Sequence, residues 1–266
     1  MILGIIGFGN MAQAISKGII EKNFLLPSDI FIFDILEEKN IIAKNKFNFN
    51  ILGLNDLIIK SDAILIAVKP DQLKNLLFQI KEYINIKKLI ISICAGKKIN
   101  FIANIVGNNI PIARVNPNIS VIVGEGVTAI SFNKNINQEQ KKFTLSLFSS
   151  IGKVYECEEK YLNIITGIAG SGPAFVFKII NAFSDAGLYS GLSKKISTEI
   201  AAQTLYGAAK LILETNEHPS LVIDNVCSPG GTTIEGLYEL EKKGFNGILI
   251  KAILKAIKKA DKLSEE

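Results

Sequence analysis

Residues 1–12 read MILGIIGFGNMA, a short apolar run that passes directly into a glycine-rich turn. The run Ile2–Ile6 has the length and composition of a buried strand, and the GFGNMA that follows has the pattern GxGxxA. In that pattern Gly7 permits a tight turn, Gly9 lets a pyrophosphate approach the backbone, and Ala12 keeps the next helix close to the sheet. The helix N-terminus then offers unpaired N–H groups to phosphates. This junction predicts a dinucleotide-binding site; the alternative is a glycine turn that only packs a helix on a sheet.

The chain after this junction repeats the alternation of strand and helix. Apolar runs of strand length occur at Ile30–Phe33, Ala63–Val68 and Leu89–Ile93, bounded by Gly, Pro, Asp or Lys. The stretches Met11–Asn23 and Asp71–Ile84 carry apolar residues at helical spacing. Strand and helix in alternation predict an α/β fold, a doubly wound parallel sheet of the Rossmann type.

The second half of the chain has a different hydrophobic pattern, with helical periodicity and no convincing strands after Glu158. The predicted helices are Tyr161–Ala186, Lys194–Glu214, Thr232–Lys243 and Phe245–Leu263. We therefore predict two domains, a dinucleotide-binding domain over residues 1–158 and an all-helical domain over residues 159–266. The long apolar helices of the second domain predict burial against a partner subunit.

Composition restricts the class of protein. Of the 266 residues, 48% are hydrophobic and the net charge is only +5, which predicts a globular protein and gives no support to nucleic-acid binding. The N-terminus lacks the positive region of a signal peptide, and no run approaches the roughly 18 continuous apolar residues of a membrane span. Three scattered cysteines and a single histidine predict no metal site and suit a reducing compartment. These features predict a cytoplasmic protein.

Asp34 follows the second predicted strand and has two interpretations. A carboxylate at this place can accept hydrogen bonds from the ribose hydroxyls of NADH and would repel the additional phosphate of NADPH. Alternatively, Asp34 caps the next helix, since Glu37 follows three residues later as in a capping box. The first interpretation favours NADH, although nearby Lys39 would tolerate NADPH.

A second motif lies in the helical half, where SPGGTT spans Ser228–Thr233. A glycine loop that opens a helix presents consecutive N–H groups beside hydroxyls, which suits a small carboxylate. An ordinary capped helix is an equally good interpretation of the same residues.

The motifs together resemble the pyrroline-5-carboxylate reductase family. They are SPGGTTIEGL, GIAGSGPAFVF at Gly167–Phe177, AAQTLYGAAK at Ala201–Lys210, GFGNMA at Gly7–Ala12, AVKP at Ala67–Pro70 and RVNPN at Arg114–Asn118. They occur in the family's order and cover essentially the whole chain. The resemblance implies NAD(P)H-dependent reduction of 1-pyrroline-5-carboxylate to L-proline, the last step of proline biosynthesis. It also implies a homodimer of intertwined helical domains, assembled in many members into a decamer.

Residue roles follow from that resemblance. The cofactor would be bound by Gly7, Phe8, Gly9, Asn10, Met11, Asn55, Ala67, Val68, Lys69, Pro70, Ala95 and Gly96, with Asn225 reaching it from the helical domain. Asp34 joins this set through its own chemistry, because it departs from the small or basic residues common at that position in the family. Gly231, Thr232 and Thr233 would hold the substrate carboxylate, and the Thr233 hydroxyl would hydrogen-bond the ring nitrogen as the catalytic group. The chain departs from the family at Asn116, usually Met, at Ile119-Ser120, usually Thr-Pro, and at Cys94, commonly Ala.

Two rival functions make different predictions. A β-hydroxyacid dehydrogenase would carry the motif GxxGxGxxxK, and Gly167, Gly170 and Gly172 match its glycines. Val176, however, occupies the position of the lysine. The nearby Lys178 lies roughly 200° around the helix from that position. A dinucleotide sensor without turnover would have no need of the SPGGTT loop. His218, which precedes a proline, is predicted to be a surface residue.

Overall fold

The computed structural model describes residues 1–265 and contains a single eight-stranded sheet. The strands are β1 Leu3–Ile6, β2 Ile30–Phe33, β3 Asn50–Ile51, β4 Ala63–Ile66, β5 Leu89–Ser92, β6 Ile112–Pro117, β7 Gly126–Phe132 and β8 Gly152–Glu156. The helices of the same region are α1 Asn10–Glu21, α2 Glu37–Phe47, α3 Leu54–Lys60, α4 Leu73–Ile80, α5 Ile99–Val106, α6 Gln138–Ser149 and α7 Leu162–Ile165. The predicted doubly wound parallel sheet is confirmed.

Strand order places a crevice at the carboxyl end of β1. The order is β3-β2-β1-β4-β5-β6-β7-β8, and every pair is parallel except β6 with β7. The chain direction across the sheet reverses between β1 and β4, and ligands bind in such a switch-point crevice. Ile6 pairs with both Phe33 and Ile66, so the loops after β1, β2 and β4 leave the sheet at one level.

Two hydrophobic cores cover the faces of the sheet. On one face Leu3 and Ile5 contact the α1 residues Ala12, Ile15 and Ile19, all of them buried. The other core joins Ile64 and Ile66 of β4 to α4 and α5. Because both faces are covered, the inner strands β1 and β4 are continuous apolar runs without alternation, the pattern expected of a buried parallel sheet.

The chain separates into two compact units. The first contains Met1–Ser171 and the described residues from Ala256 onward, and the second contains Gly172–Lys255. The helices of the second half are α8 Gly172–Tyr189, α9 Lys194–Thr215, α10 Pro219–Val226, α11 Thr232–Lys242 and α12 Phe245–Glu265. The structure thus divides the chain at Ser171 and returns the end of α12 to the first unit.

The helical unit is almost without a core of its own. Between Gly172 and Lys255 the buried residues are Ser184, Ser197 and Ala201. Large apolar side chains are exposed instead: Phe177, Phe183, Leu188, Tyr189, Leu213, Leu221, Val226, Tyr238, Ile248, Ile250 and Leu254. Exposed apolar side chains in this number on a folded unit are typical of an interaction surface.

The single helix predicted over Tyr161–Ala186 is wrong. The structure has the short α7, then a wide π turn over Thr166–Gly170, then α8. The Ser171 N–H bonds Thr166 O at 3.0 Å across the turn. Asn118 fixes it further by donating to Ala169 O at 3.0 Å. Such π turns interrupt helices at functional sites more often than elsewhere.

The run Glu159–Tyr189 is 31 residues long and, by length and composition alone, apolar enough to cross a membrane. The same run includes the π turn and the polar residues Lys178 and Asp185. The expectation that the chain has no membrane span stays a prediction.

Candidate active site

The glycine turn after β1 is built as the motif predicts. Gly7 has φ +89°, and its N–H donates to Phe33 O at 2.8 Å. A Cβ there would lie 2.8 Å from the backbone oxygen of Ala67, so only glycine fits. Gly9, by contrast, has φ −72° and no atom within 4 Å of a Cβ built on it. The space that a side chain at Gly9 would occupy is therefore open.

The N-terminus of α1 is free to receive an anion. Gly9 is the N-cap residue, no side chain caps the helix, and its first turn contains no acidic residue. Asn10 is exposed at the first turn, and Met11 is half-buried. The first N–H groups of a helix have no intrahelical partner, so they and the partial positive charge face this open space.

Phe8 contributes its backbone rather than its ring to this loop. The ring is fully buried, with edge-to-face contacts to Phe47 at 5.6 Å and Phe49 at 6.1 Å between centroids. The Phe8 N–H donates to Asp34 Oδ2 at 2.6 Å. The aromatic core under the loop thus fixes the amide that faces β2.

Asp34 is held beside the glycine loop and does not cap α2. Besides the Phe8 N–H, the Asp34 carboxylate accepts from the Leu36 N–H at 2.9 Å. The Asn40 side-chain amide accepts from the Asp34 N–H and donates to the Asp34 C=O, each at 2.9 Å. α2 begins at Glu37, after an N-cap residue, Leu36, that makes no side-chain cap. The capping-box interpretation of Asp34 is therefore wrong. The carboxylate bonds the glycine loop instead.

A groove of about 480 Å³ runs along this edge of the sheet. The predicted cofactor residues that line it are Gly7, Gly9, Asp34, Ala67, Val68 and Lys69, with Leu36 and Lys39 beside Asp34. Lys69 is exposed, and Lys39 forms a 3.5 Å ion pair with Glu38. The groove joins the glycine loop to the end of β2, as a dinucleotide requires.

A second cavity of about 350 Å³ adjoins the groove, because Ala67 and Val68 line both. Its other predicted residues are Met11, Pro70, Ala95 and Gly96. The lining residues outside the predicted site include Asn163 and Thr166 near the π turn, and Ala260 and Leu263 at the end of α12. Asn116, noted in the sequence only as a departure from the family, also lines it.

The last turn of α12 lies against the loop after β5. Gly96 has φ +76°, and a Cβ there would lie 2.5 Å from the backbone oxygen of Leu263. Asn163 fastens the same turn by donating to Asp261 Oδ1 at 3.0 Å and accepting from Ser264 Oγ at 3.2 Å. No sequence pattern connects residues so distant in the chain, which is why this wall of the cavity was not predicted.

Arg114 is buried behind the cavity rather than open to it. It is 1% exposed and forms a 3.1 Å ion pair with Glu159, and its Nη2 donates to Asn163 Oδ1 at 3.1 Å. Glu159 also accepts from the Ile99 N–H at the start of α5 at 2.8 Å. Nη1 and Nη2 of the guanidinium are thus bonded to side chains of the scaffold.

Three residues singled out in the sequence lie apart from these cavities. Asn55 is exposed and donates to the Tyr83 hydroxyl at 3.1 Å, so its role toward the cofactor stays a prediction. His218 is the N-cap of α10 and accepts from the Ser220 N–H at 3.2 Å, as suits a surface residue. Cys94 is buried, and this burial raises the pKa of its thiol to about 11.

The SPGGTT loop has a cradle geometry within the helical unit. Gly230 has φ +70°, Gly231 donates to Ser228 O at 3.0 Å, and α11 begins at Thr232. A Cβ on Gly231 would collide with the Ser228 hydroxyl. The Thr233 side chain is half-buried, and Asn225 is exposed near the end of α10. The roles of these residues toward a substrate stay predictions.

No group of three or more His, Cys, Asp or Glu side chains suited to a metal occurs within residues 1–265.

Known proteins match the whole chain. The family model described as pyrroline-5-carboxylate reductase dimerisation matches residues 159–263, and one described as NADP oxidoreductase coenzyme F420-dependent matches residues 2–96. The pyrroline-5-carboxylate reductase of Aquifex aeolicus is 40% identical over 263 residues, covering 99% of this chain and 97% of its own. That of Glycine max is 37% identical, covering 98% of this chain and 96% of its own.

Solved structures agree with these matches. The Plasmodium falciparum pyrroline carboxylate reductase, determined with NADP bound, has a TM-score of 0.89 and 35% identity, covering 98% of this chain and 97% of its own. Identity at this level over essentially full length confirms the resemblance drawn from the motifs. The chain belongs to the pyrroline-5-carboxylate reductase family.

Proposed function

We propose that this chain catalyses the NAD(P)H-dependent reduction of 1-pyrroline-5-carboxylate to L-proline, the last step of proline biosynthesis. A hydride passes to C5 of the ring, the C=N π bond breaks, and a proton ends on the nitrogen. Besides family membership, the observation that carries the proposal is the groove beside Gly9 with the mostly apolar cavity that adjoins it.

The residues present fit a nicotinamide dinucleotide. The open space at Gly9 and the uncapped α1 N-terminus suit a pyrophosphate, and a side chain at Gly9 would fill that space. Asp34 stands where a ribose would lie, with its carboxylate already aligned by Phe8. When bound, the cofactor supplies the hydride.

The chain's own task is mainly positioning. A protonated C=N bond is already electrophilic, so orientation and exclusion of water account for most of the required rate. Met11, Val68, Ile93 and Leu263 provide apolar walls to the cavity. Gly231, Thr232 and Thr233 hold the substrate carboxylate, the Thr233 hydroxyl hydrogen-bonds the ring nitrogen, and Asn225 contacts the cofactor.

Asp34 supports a preference for NADH. Its carboxylate lines the groove, and a 2′-phosphate placed beside it would meet a like charge. Lys39 lines the same groove and moderates that repulsion, although its ammonium pairs with Glu38. The Plasmodium falciparum relative was determined with NADP, so this preference would be a property of the present chain.

The exposed apolar side chains of the helical unit support a homodimer. The region between Gly172 and Lys255 has almost no core, and the family model matching it is described as a dimerisation domain. We assign the exposed apolar side chains of α8, within the apolar run Glu159–Tyr189, to this interface rather than to a membrane. A decamer built from five such dimers is the larger assembly.

The three cysteines support a cytoplasmic location. Cys94, Cys157 and Cys227 are all free thiols. Reduced thiols are the usual state in that compartment.

Oxidation of NADH and NADPH in the presence of 1-pyrroline-5-carboxylate tests the proposal. A 3-hydroxyacid with the oxidised cofactor serves as control for a β-hydroxyacid dehydrogenase, whose lysine position is Val176 here. Turnover with the imine alone is the expected result. Cofactor binding without turnover of either substrate would instead indicate a dinucleotide sensor.

A further inference from the structure

The polar lining of the 350 Å³ cavity is sparse, and one part of it is unused. Three polar side chains line the cavity, those of Asn116, Asn163 and Thr166. The other lining residues are apolar or glycine. Any polar group of a ligand in this cavity must therefore find its side-chain partner among these three.

The side-chain oxygens of two of the three already accept hydrogen bonds from the protein. Thr166 Oγ1 donates to Leu162 O at 2.7 Å and accepts from Asn116 Nδ2 at 2.7 Å. Asn163 donates to Asp261 and accepts from both Arg114 and Ser264. Of the three side-chain oxygens, Asn116 Oδ1 alone accepts no hydrogen bond within the described residues.

The threonine also decides which way the Asn116 amide points. A hydroxyl has one proton, and Thr166 donates its proton to Leu162 O. The Thr166 hydroxyl can therefore only accept a hydrogen bond from Asn116. Nδ2 must therefore face Thr166, and Oδ1 must face away from it. Within the described residues no group donates to Asn116 Oδ1, and the side chain is only half-buried.

Asn116 lies at the carboxyl edge of the sheet, beside the loop after β5. Ser92 pairs with Arg114 in the parallel β5–β6 ladder, so Asn116 continues β6 at the level where Cys94, Ala95 and Gly96 leave β5. Ala67 and Val68 connect the same cavity to the dinucleotide groove, while Asp34 lies outside it. The cavity thus lies at the end of the groove away from Asp34, the predicted ribose-binding carboxylate.

We propose that Asn116 Oδ1 accepts a hydrogen bond from the carboxamide NH₂ of the nicotinamide ring and so positions that ring. This inference rests on the proposed function, because it requires a nicotinamide cofactor in the cavity. A carboxamide offers N–H donors on an otherwise apolar ring, which matches one free acceptor in an apolar cavity. A methionine here, the usual residue of the family, would supply only a weak acceptor.

A cycle of variants and cofactors tests the inference by binding alone. Dissociation constants are measured from the fluorescence of NADH and of its reduced 3-acetylpyridine analogue, in which a methyl ketone replaces the carboxamide and removes the donor. The wild-type chain is expected to bind NADH about threefold to tenfold more tightly than the analogue, the effect of one hydrogen bond. In Asn116→Met this preference is expected to disappear.

Two further variants separate orientation from packing. Thr166→Ser keeps the hydroxyl and should keep the preference, whereas Thr166→Val removes the group that orients Asn116 and should reduce it. Asn45→Met makes the same substitution on the exposed surface of α2 and should leave both constants unchanged.

Three outcomes would overturn the inference. An equal preference for NADH in wild type and Asn116→Met, with both binding normally, removes Asn116 from the cofactor site while leaving the proposed function intact. A loss of L-proline affinity in Asn116→Met without any change in the cofactor ratio would assign the oxygen to the substrate nitrogen. Failure of the wild-type chain to bind either dinucleotide would refute the proposed function as well.

Discussion

Replacing Gly9 by alanine should abolish tight cofactor binding while leaving the fold intact. The backbone at Gly9, φ −72° and ψ −174°, is open to alanine, and no atom lies within 4 Å of the new Cβ. The only thing that the methyl group would meet is a ligand at the α1 N-terminus.

The expected change in stability is small because two effects oppose each other. Alanine is a poorer N-cap than glycine, at a cost of about 0.5–1 kcal/mol. It also restricts the unfolded chain, which stabilises the fold by about 0.4–1 kcal/mol. The net shift in melting temperature should therefore stay within about 3 °C.

Gly7→Ala is the matched comparison, with the same methyl group two residues earlier. There the left-handed backbone costs about 1–2 kcal/mol, and the Cβ would lie 2.8 Å from Ala67 O. A fall in melting temperature of about 3 °C or more is expected for Gly7→Ala.

Thermal unfolding and NADH titration of both variants give the result. For Gly9→Ala we expect an almost unchanged melting temperature and a dissociation constant raised about tenfold or more. Unchanged affinity in Gly9→Ala would refute the placement of the pyrophosphate at this loop. A large loss of stability in that variant would contradict the geometry derived for Gly9.

Three other predictions concern single side chains. Asp34→Ser should raise the kcat/KM ratio of NADPH to NADH about tenfold, by removing a like charge; an unchanged ratio would limit Asp34 to holding the Phe8 amide. Thr233→Val should lower turnover about a hundredfold with NADH affinity nearly intact, and normal turnover would remove Thr233 from the mechanism. Cys94, with its pKa raised to about 11 by burial, should be about one part in a thousand thiolate at about pH 8 and resist iodoacetamide in the folded chain. Mass spectrometry showing Cys94 labelled as fast as Cys227 would contradict that burial.

The dinucleotide half of the fold was predictable because its inner strands are buried on both faces. Runs such as Ala63–Ile66 are uninterrupted by polar residues, and the glycine turn after Ile6 is specified locally. The second half of the sheet carries no such signal. β6 contains the buried Arg114, and β7 contains the buried Thr128 and Ser131. Because these polar residues interrupt the apolar runs, the sequence does not show the pattern of a buried strand there.

The site was predictable where it depends on local backbone and obscure where it depends on tertiary pairing. Gly7 and Gly9 carry their roles in the turn itself. The bond from Asn116 to Thr166 joins residues 50 apart, and the contact of Leu263 with Gly96 spans most of the chain. The capping-box alternative for Asp34 was excluded by the start of α2 and by the bond from the Phe8 N–H, and the latter depends on the register of β1 against β2.

Transfer of deuterium from the cofactor to the product tests the central claim most directly. The chain is incubated with 1-pyrroline-5-carboxylate and NADH dideuterated at C4, and the product is examined by mass spectrometry and NMR. The account predicts L-proline with a single deuterium at C5. Proline without deuterium, deuterium at another carbon, or no proline while the cofactor remains bound would contradict hydride transfer to the imine.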